Sequence, residues 1–208
     1  MKTEALIQRL ESAIADGGPD GPTSWYYEMV PKSIEGNIEW RQWLFELAED
    51  PEIRDELREI CSKDILFYVN SFGWTLNPKD YPQCPERIFI TYPFQDRALL
   101  QIVSSIGRCD IAVPKSRDMG ASWLCLLAME WKWHFQAMQQ FLLSSQDESL
   151  VDGKSEKALF RKLDFWWKHL PAWLCPSYER VFKAPRNPET ESAFTGQATV
   201  VNLGRGDR

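Results

Sequence analysis

The stretch IAVPKSRDMGASWLCLLAME, residues 111–130, contains an apolar run, a short polar loop with one glycine, and an amphipathic continuation. This order predicts a strand, a loop and a helix. Backbone N–H groups in such a loop, and at the N-terminus of the helix that follows, are able to hold phosphate groups. The stretch therefore indicates an α/β fold and raises the question of whether its loop binds a nucleotide.

The loop departs at two positions from the usual pattern of a glycine, four residues, a glycine, a lysine and a serine or threonine. Lys115 replaces the first glycine and Ala121 replaces the lysine. Gly120 and Ser122 keep the second glycine and the hydroxyl that ligates Mg²⁺. The positive charge would then come from Lys115 and from the planar fork of Arg117. The spacing alone does not separate a nucleotide site from an ordinary strand, loop and helix.

Composition and charge restrict the class of protein. The chain has 208 residues, of which 44% are hydrophobic, enough for a buried core. A formal net charge of -6 disfavours a protein that coats DNA but permits local basic patches. Five scattered cysteines and two histidines predict neither a disulfide framework nor a metal cluster. Because there is neither a signal peptide nor a long apolar run, we expect a soluble, cytoplasmic protein without a membrane partner.

The first eighty residues predict a mainly helical region. Apolar residues recur at helical spacing within residues 2–14. The same spacing predicts three further helices, at residues 38–47, 53–60 and 64–70. Turn-forming residues cluster at residues 77–85, where we place a boundary. The chain is therefore divided into a helical N-terminal region, residues 1–80, and a second domain, residues 81–208.

Beyond this boundary, short apolar runs alternate with segments of helical length. Four runs predict strands: RIFIT at 87–91, DIAV at 110–113, FLLS at 141–144 and TVVN at 199–202. One helix is predicted from about Ala121, with an apolar face of Leu124, Leu127, Ala128, Trp131 and Phe135. A second helix is predicted from Ser155 to His169. The alternation favours an α/β unit with a mostly parallel sheet.

The loop sequence KSRDMGASW, residues 115–123, resembles the deviant phosphate-binding loop of the large terminase subunit of tailed bacteriophages, the ATPase that drives genome packaging. In that family the usual lysine is often missing, and a basic residue near the start of the loop replaces it. Three further segments resemble the family in the same order: FYVNSFGWTLNP at 67–78, TYPFQ at 91–95 and GQATVVNLGRGDR at 196–208. Together the four segments cover about residues 64–208.

The resemblance implies a RecA-like P-loop NTPase core that binds ATP and Mg²⁺. It implies that Lys115 and Arg117 contact the β- and γ-phosphates and act in catalysis, and that Ser122 holds the metal ion. The implied ATP site also includes Ser116, Asp118 and Met119, together with backbone donors of Gly120 and Ala121.

The segment TYPFQ resembles the upstream glutamine motif of the family. This implies that Gln95 reads the adenine edge, because its amide carries both a donor and an acceptor. Tyr92 or Phe94 would pack on the base. The alternatives without nucleotide are a surface position for Gln95 at a helix start, and packing in the core or at its rim for the two aromatic residues. The two loop cations are otherwise solvated charges, and Ser122 is also able to cap the helix.

The resemblance further implies a motor. We expect the ATPase portion of a viral packaging machine in the host cytoplasm, which moves double-stranded DNA into procapsids as a ring of subunits. The small terminase subunit and the portal protein are the implied partners. The sequence stops at Arg208, before the Walker B strand and the nuclease domain of the family, so we interpret it as a fragment with little or no turnover by itself. The alternatives are another P-loop DNA translocase or helicase, and a non-catalytic nucleotide-binding or docking module.

Two groups of basic residues are candidates for DNA contact. The first comprises Arg180, Lys183 and Arg186 in YERVFKAPRNP, and the second Arg205 and Arg208. A solvated hairpin or loop explains both groups equally well. The charged run at residues 144–162 is expected to be a solvated loop and helix face.

Overall fold

The computed structural model describes residues 26–77 and 85–199. A 3₁₀ turn at Tyr26–Met29 comes first in this part of the chain. The helices are α1 (Ile34–Leu47), α2 (Pro51–Lys63), α3 (Ile65–Phe72), α4 (Pro93–Ser105), α5 (Ala121–Phe135), α6 (Glu148–Asp152) and α7 (Leu159–His169). The strands are β1 (Trp74–Leu76), β2 (Glu86–Ile88), β3 (Gln140–Ser145), β4 (Arg186–Asn187) and β5 (Ser192–Ala198). The chain is therefore a mixed α/β protein.

The strands form two small sheets. β1 and β2 pair antiparallel, and the backbone N–H of Asn77 donates to the carbonyl of Pro85 at 2.7 Å. β3 and β5 pair in parallel along the whole of β3, from Gln140 to Ser145. The short strand β4 pairs antiparallel with the other edge of β5, which gives the order β3-β5-β4.

The four predicted strands have different outcomes. FLLS lies within β3, so that prediction is confirmed. The prediction for RIFIT is wrong in its length, because β2 ends at Ile88. It is also wrong in the direction of pairing, because β2 pairs antiparallel with β1 and not within a parallel sheet. DIAV is wrong, since residues 109–116 have no regular secondary structure and are exposed. This run is short, and Pro114 directly after it cannot donate to a ladder. Of TVVN, residues 200–202 lie outside the described residues.

The helix predictions hold better. The three predicted helices of the N-terminal region correspond to α1, α2 and α3, and the predicted helix near Ala121 corresponds to α5. The helix predicted from Ser155 begins instead at Leu159, after turns at residues 153–157. The pattern at residues 2–14 lies outside the described part of the chain. Helical periodicity was the stronger signal because each helix closes its hydrogen bonds locally.

Helix α5 lies at the centre of the structure. It contacts α3, α4, α7 and β5, and its buried residues include four of the five predicted for its apolar face, Leu124, Leu127, Ala128 and Trp131. The core around it draws side chains from α1 to α7 and from β3 and β5. A helix that is apolar on most sides has to be enclosed by other elements. The position of α5 therefore fixes where the loop before it emerges.

Candidate functional site

The loop at residues 115–120 leads directly into α5. Gly120 is the N-cap residue of the helix and has a φ of 76°, in the left-handed region that glycine adopts without steric cost. Asp118 also has a positive φ, 62°. The carbonyl of Gly120 accepts the first helical bond from the N–H of Leu124 at 3.1 Å. The expectation that Ser122 caps the helix is wrong, because Gly120 holds that position and Ser122 lies inside the first turn.

Gln95 connects this loop to the start of α4. Its Oε1 accepts from the backbone N–H of Tyr92 at 3.0 Å, and its Nε2 donates to the carbonyl of Met119 at 3.3 Å. The residue is 6% exposed, so the alternative of a surface position is wrong. The space beside Gly120 is small, since a Cβ there would lie 2.9 Å from Gln95 Nε2. The amide that was predicted to read adenine is therefore engaged within the protein.

The segment TYPFQ is anchored on α3. The Oδ1 of Asn70 accepts from the backbone N–H of Thr91 at 2.8 Å and from its hydroxyl at 3.0 Å. Asp96 lies within hydrogen-bond distance of the same hydroxyl, whose single proton is shared between the two acceptors. Lys32 donates to the Thr91 carbonyl at 2.7 Å and pairs with Asp96 at 3.1 Å, while burial lowers the pKa of its ammonium group. Together with the bond between Gln95 and Met119, the contact between Asn70 and Thr91 brings together three of the four segments that carried the resemblance.

Tyr92 and Phe94 form an exposed aromatic pair beside Gln95. Their rings stack with centroids 5.7 Å apart and planes 5° from parallel. Tyr92 is 64% exposed and Phe94 is 40% exposed. The alternative that they pack in the core is therefore wrong. The pair presents flat aromatic surface next to the loop.

The side chains of the loop itself face solvent. Lys115 and Arg117 are both exposed, and neither has an ion-pair partner in the described part of the chain. Ser116, Asp118 and Met119 are exposed as well. The structure therefore brings the predicted residues 115–122 and Gln95 to one place but leaves both cations extended into water.

A cleft of about 350 Å³ opens beside the first turn of α5. Ala121 and Ser122 line one side and Leu142 and Ser144 of β3 line the other. Most of the remaining lining is apolar: Cys125, Leu126, Met129, Leu143 and Leu159. The exposed Ser122 hydroxyl suits one ligand position of a Mg²⁺ ion whose other ligands are phosphate oxygens and water. Among the described residues there is no group of three or more His, Cys, Asp or Glu able to hold a metal ion.

Two of the candidate DNA contacts are engaged within the protein. Arg180 binds Asp152 and Asp164, each at 2.7 Å, and Lys183 pairs with Glu148. Arg186 is exposed, whereas Arg205 and Arg208 lie outside the described residues. The run at residues 144–162 is only partly solvated, because Val151, Ala158 and Phe160 are fully buried in it.

A buried polar cluster in the middle of α5 was not predicted. The Tyr68 hydroxyl donates to the Glu130 carboxylate at 3.2 Å and accepts from Trp166 Nε1 at 2.9 Å. Trp167 Nε1 also donates to Glu130, at 3.1 Å, and His134 Nδ1 lies 3.3 Å from the same carboxylate. Burial first, and then Glu130, raise the pKa of the Tyr68 phenol well above its ordinary value. The sequence feature that could have indicated this cluster is the pair Glu130 and His134, which lie four residues apart on an otherwise apolar helix.

Comparisons of the chain with protein-family models, curated proteins and solved structures found no match. Within the residues described, every helix is too short or too polar to cross a membrane. Assignment of a function therefore depends on the geometry around Gly120 and Gln95 and on the sequence of the loop.

Proposed function

We propose that the chain is the ATP-binding portion of a viral DNA packaging motor, the large terminase subunit of tailed bacteriophages. The observation that carries this proposal is the loop at residues 115–122. It ends in the left-handed Gly120, continues directly into the central helix α5, and exposes two cations and a hydroxyl. Together with the sequence KSRDMGASW, this geometry supports a phosphate-binding loop whose charge has moved from position 121 to Lys115 and Arg117.

The first turn of α5 provides the electrostatic part of the proposed site. The N-terminus of a helix carries partial positive charge and N–H groups that favour phosphate oxygens. Gly120 brings no side chain into that space. Lys115 and Arg117, which are exposed on the same loop, then close over the β- and γ-phosphates, and Ser122 supplies a ligand to Mg²⁺.

The proposed adenine contact uses the stacked rings of Tyr92 and Phe94. Base stacking on an aromatic face requires exposed rings, and both rings are exposed. Gln95 reads the base only if its amide exchanges the Met119 carbonyl for the adenine edge. Nucleotide binding would thereby release Met119 and alter the loop.

Phosphoryl transfer in such a site depends mainly on positioning and on stabilising charge at the γ-phosphate. Arg117 is suited to that stabilisation because its guanidinium presents several donors in one plane. For the fold, we propose that the parallel pair β3 and β5 belongs to a RecA-like sheet. In the motor, hydrolysis drives double-stranded DNA into a procapsid in the host cytoplasm, with the small terminase subunit and portal protein as partners of a ring.

Calorimetric titration with Mg·ATP tests the site. We expect the double variant Lys115→Ala/Arg117→Ala to bind at least about tenfold more weakly than the wild type, because a hydrogen bond to a charged group contributes about 1.5–3 kcal/mol. Lys63→Ala is the matched control, since it removes a cation from the end of α2, where Lys63 pairs with Glu59. Absence of ATP binding by a wild-type chain with an intact circular dichroism spectrum would falsify the proposal. Equal affinity of the double variant and the wild type would reject the role of the two cations.

A second candidate function is a non-catalytic nucleotide-binding or docking module. The observation that favours it is the engagement of Gln95 with Tyr92 and Met119, which uses one donor and one acceptor position of the amide that would read a base. Phosphate release, measured under conditions in which Mg·ATP binding is saturated, separates the two functions. Release that depends on Arg117 supports the ATPase, whereas saturated binding without release supports the module.

A further inference from the structure

A second pocket, of about 250 Å³, lies between α7, the start of α5 and the β1–β2 hairpin. Trp123 contributes the wall from α5, and Leu76 and Glu86 contribute the wall from the hairpin. The pocket shares no lining residue with the cleft beside Ser122. It is therefore a separate site, and its chemistry is independent of the function proposed above.

The floor of this pocket is aromatic. The rings of Trp123 and Phe165 meet edge to face, with centroids 6.0 Å apart and planes at 72°. Trp123 also contacts Phe89, with centroids 6.4 Å apart, so its ring is held from a second side. Trp123 and Phe165 are both half-buried. This arrangement leaves a fixed apolar surface onto which a planar ligand can pack.

Cations surround this floor. Arg161, Phe165 and Lys168 follow at spacings of four and three residues and so share one face of α7. Within the described ranges, neither Arg161 nor Lys168 has an ion-pair partner. Lys162 also lines the pocket, donates to the carbonyl of Lys157 at 3.1 Å, and has a pKa lowered by burial. An anion in the pocket would offset the cost of desolvating this ammonium group.

None of the three carboxylates that line the pocket is free. Both oxygens of Asp164 accept from Arg180, at 2.7 and 3.2 Å. The Oε2 of Glu86 lies 3.1 Å from His169 Nε2. The third carboxylate is Glu156. Because Asp164 and Glu86 contact groups outside the lining, the three cations of the pocket remain available to an anionic ligand.

We propose that this pocket binds one nucleotide unit. The base packs on Trp123 and Phe165, and the phosphate is held by Arg161, Lys162 and Lys168. The volume suits a single small unit, since sites for larger organic ligands enclose about 300–1,000 Å³. A free mononucleotide and one nucleotide of a single-stranded nucleic acid share this chemistry, and base stacking on aromatic side chains with cationic backbone contacts serves both.

The test uses two probes. The first is thymidine monophosphate, measured in a calorimetric titration. The second is a fluorescein-labelled oligothymidylate of about twelve nucleotides, measured in an anisotropy titration; this length falls within the site sizes of single-strand binders. We expect Arg161→Ala/Lys168→Ala to weaken binding at least about tenfold. We expect Phe165→Leu, which keeps an apolar side chain of similar size, to weaken it about fivefold or more. Lys63→Ala, at a position outside the lining of the pocket, is expected to bind as the wild type does.

The outcomes separate the two sources of ligand and the two sites. Loss of affinity for both probes in the pocket variants supports a free nucleotide, and loss for the oligonucleotide alone supports a strand. Binding that is retained in Lys115→Ala/Arg117→Ala shows that the pocket acts separately from the phosphate loop, whether or not that loop binds ATP. The inference is overturned if the wild type binds neither probe, if the pocket variants bind as tightly as the wild type, or if only the loop variant loses binding.

Discussion

The side chain of Gln95 holds the carbonyl of Met119, with 3.3 Å between Nε2 and the oxygen. The same side chain accepts from the N–H of Tyr92, at the first turn of α4. One amide therefore ties the beginning of α4 to the loop before α5. The side chains of residues 115–119 are exposed, and this bond restrains the loop backbone from the side of α4.

Gly120→Ala is expected to destabilise the protein. A φ of 76° costs an alanine about 1–2 kcal/mol. The new Cβ would also lie 2.9 Å from Gln95 Nε2, so the bond to Met119 has to shift, at a further cost of about 0.5–1.5 kcal/mol. The free energy of unfolding in urea measures the sum.

Gly107→Ala is the matched control for this change. Gly107 has nearly the same φ, 77°, but a Cβ there meets nothing within 4 Å. The Gly107→Ala variant is therefore expected to lose only the free energy that the positive φ costs an alanine. Equal losses in the two variants would mean that the contact between Gly120 and Gln95 has no energetic role.

Gln95→Leu is expected to loosen the loop. The variant keeps the buried apolar volume but removes both hydrogen bonds of the amide, which costs about 1–3 kcal/mol if the backbone groups stay unsatisfied. Lys115 and Arg117 are trypsin sites in an exposed segment. Limited trypsin digestion should therefore cut this segment faster in Gln95→Leu than in the wild type.

Gln95→Glu separates the two hydrogen bonds. Its carboxylate is still able to accept from Tyr92, whereas it has no donor for Met119 at neutral pH. We expect cleavage at residues 115–117 to be as fast as in Gln95→Leu. A wild-type rate in Gln95→Glu would show that the bond to Met119 does not restrain the loop.

The buried thiol of Cys61 is expected to make the folded protein less stable at alkaline pH. Burial raises its pKa well above 9.0, so the folded state keeps the proton in a range where the unfolded state releases it. Stability from this group is present below pH 9 and falls as the pH rises above it. At pH 10 the loss is on the order of 1 kcal/mol.

The variant Cys61→Ala isolates this effect. Its stability at pH 7.5 is lower because of the cavity, but the further loss between pH 7.5 and pH 10 should be smaller than in the wild type. Cys109→Ala, at an exposed position, should retain the wild-type difference. Urea unfolding at both pH values provides the comparison, and identical differences in all three proteins would contradict the prediction.

Arg180→Lys is expected to lower stability by about 1–2 kcal/mol. The guanidinium of Arg180 binds Asp152 and Asp164 at once, and an ammonium group cannot reproduce that fork. Arg161→Lys is the control, because Arg161 has no ion-pair partner in the residues described. Urea unfolding at low and high salt measures the loss of stability in both variants. A loss in Arg180→Lys that does not shrink at high salt would argue against an electrostatic cause.

Local patterns predicted α1, α2, α3, α5 and α7, but they did not predict α4, α6 or the pairing of the strands. Helix α5 follows from apolar spacing and Gly120, because its hydrogen bonds close within the segment. The parallel pairing of β3 with β5 joins residues about fifty positions apart, and β5 carries small and polar residues such as Ser192, Thr195 and Gly196. The DIAV run has the apolar pattern of a strand, but it pairs with no strand in the part of the chain that the structure describes. Pairing of strands depends on distant neighbours that a local pattern does not contain.

The site shows the same division. The sequence identified Gln95 and the loop as neighbours in one site, and the structure brings them into contact. It did not predict that the Gln95 amide is engaged with Met119. Similarly, the spacing of Arg161, Phe165 and Lys168 is visible on α7, but Trp123 joins them only through packing between α5 and α7.

The buried hydrogen bonds of Glu130 attach α5 to Tyr68 of α3 and to Trp167 of α7. Axial sliding of this helix by one turn would break the contacts with Tyr68 and Trp167 together, and both partners lie in the core. If residues 115–119 move, there are therefore two routes. In the first, the backbone rotates at Gly120. In the second, α5 tilts and carries α3 and α7 with it. In the second route, the contacts of Glu130 would pass a shift of the loop to α3 and α7.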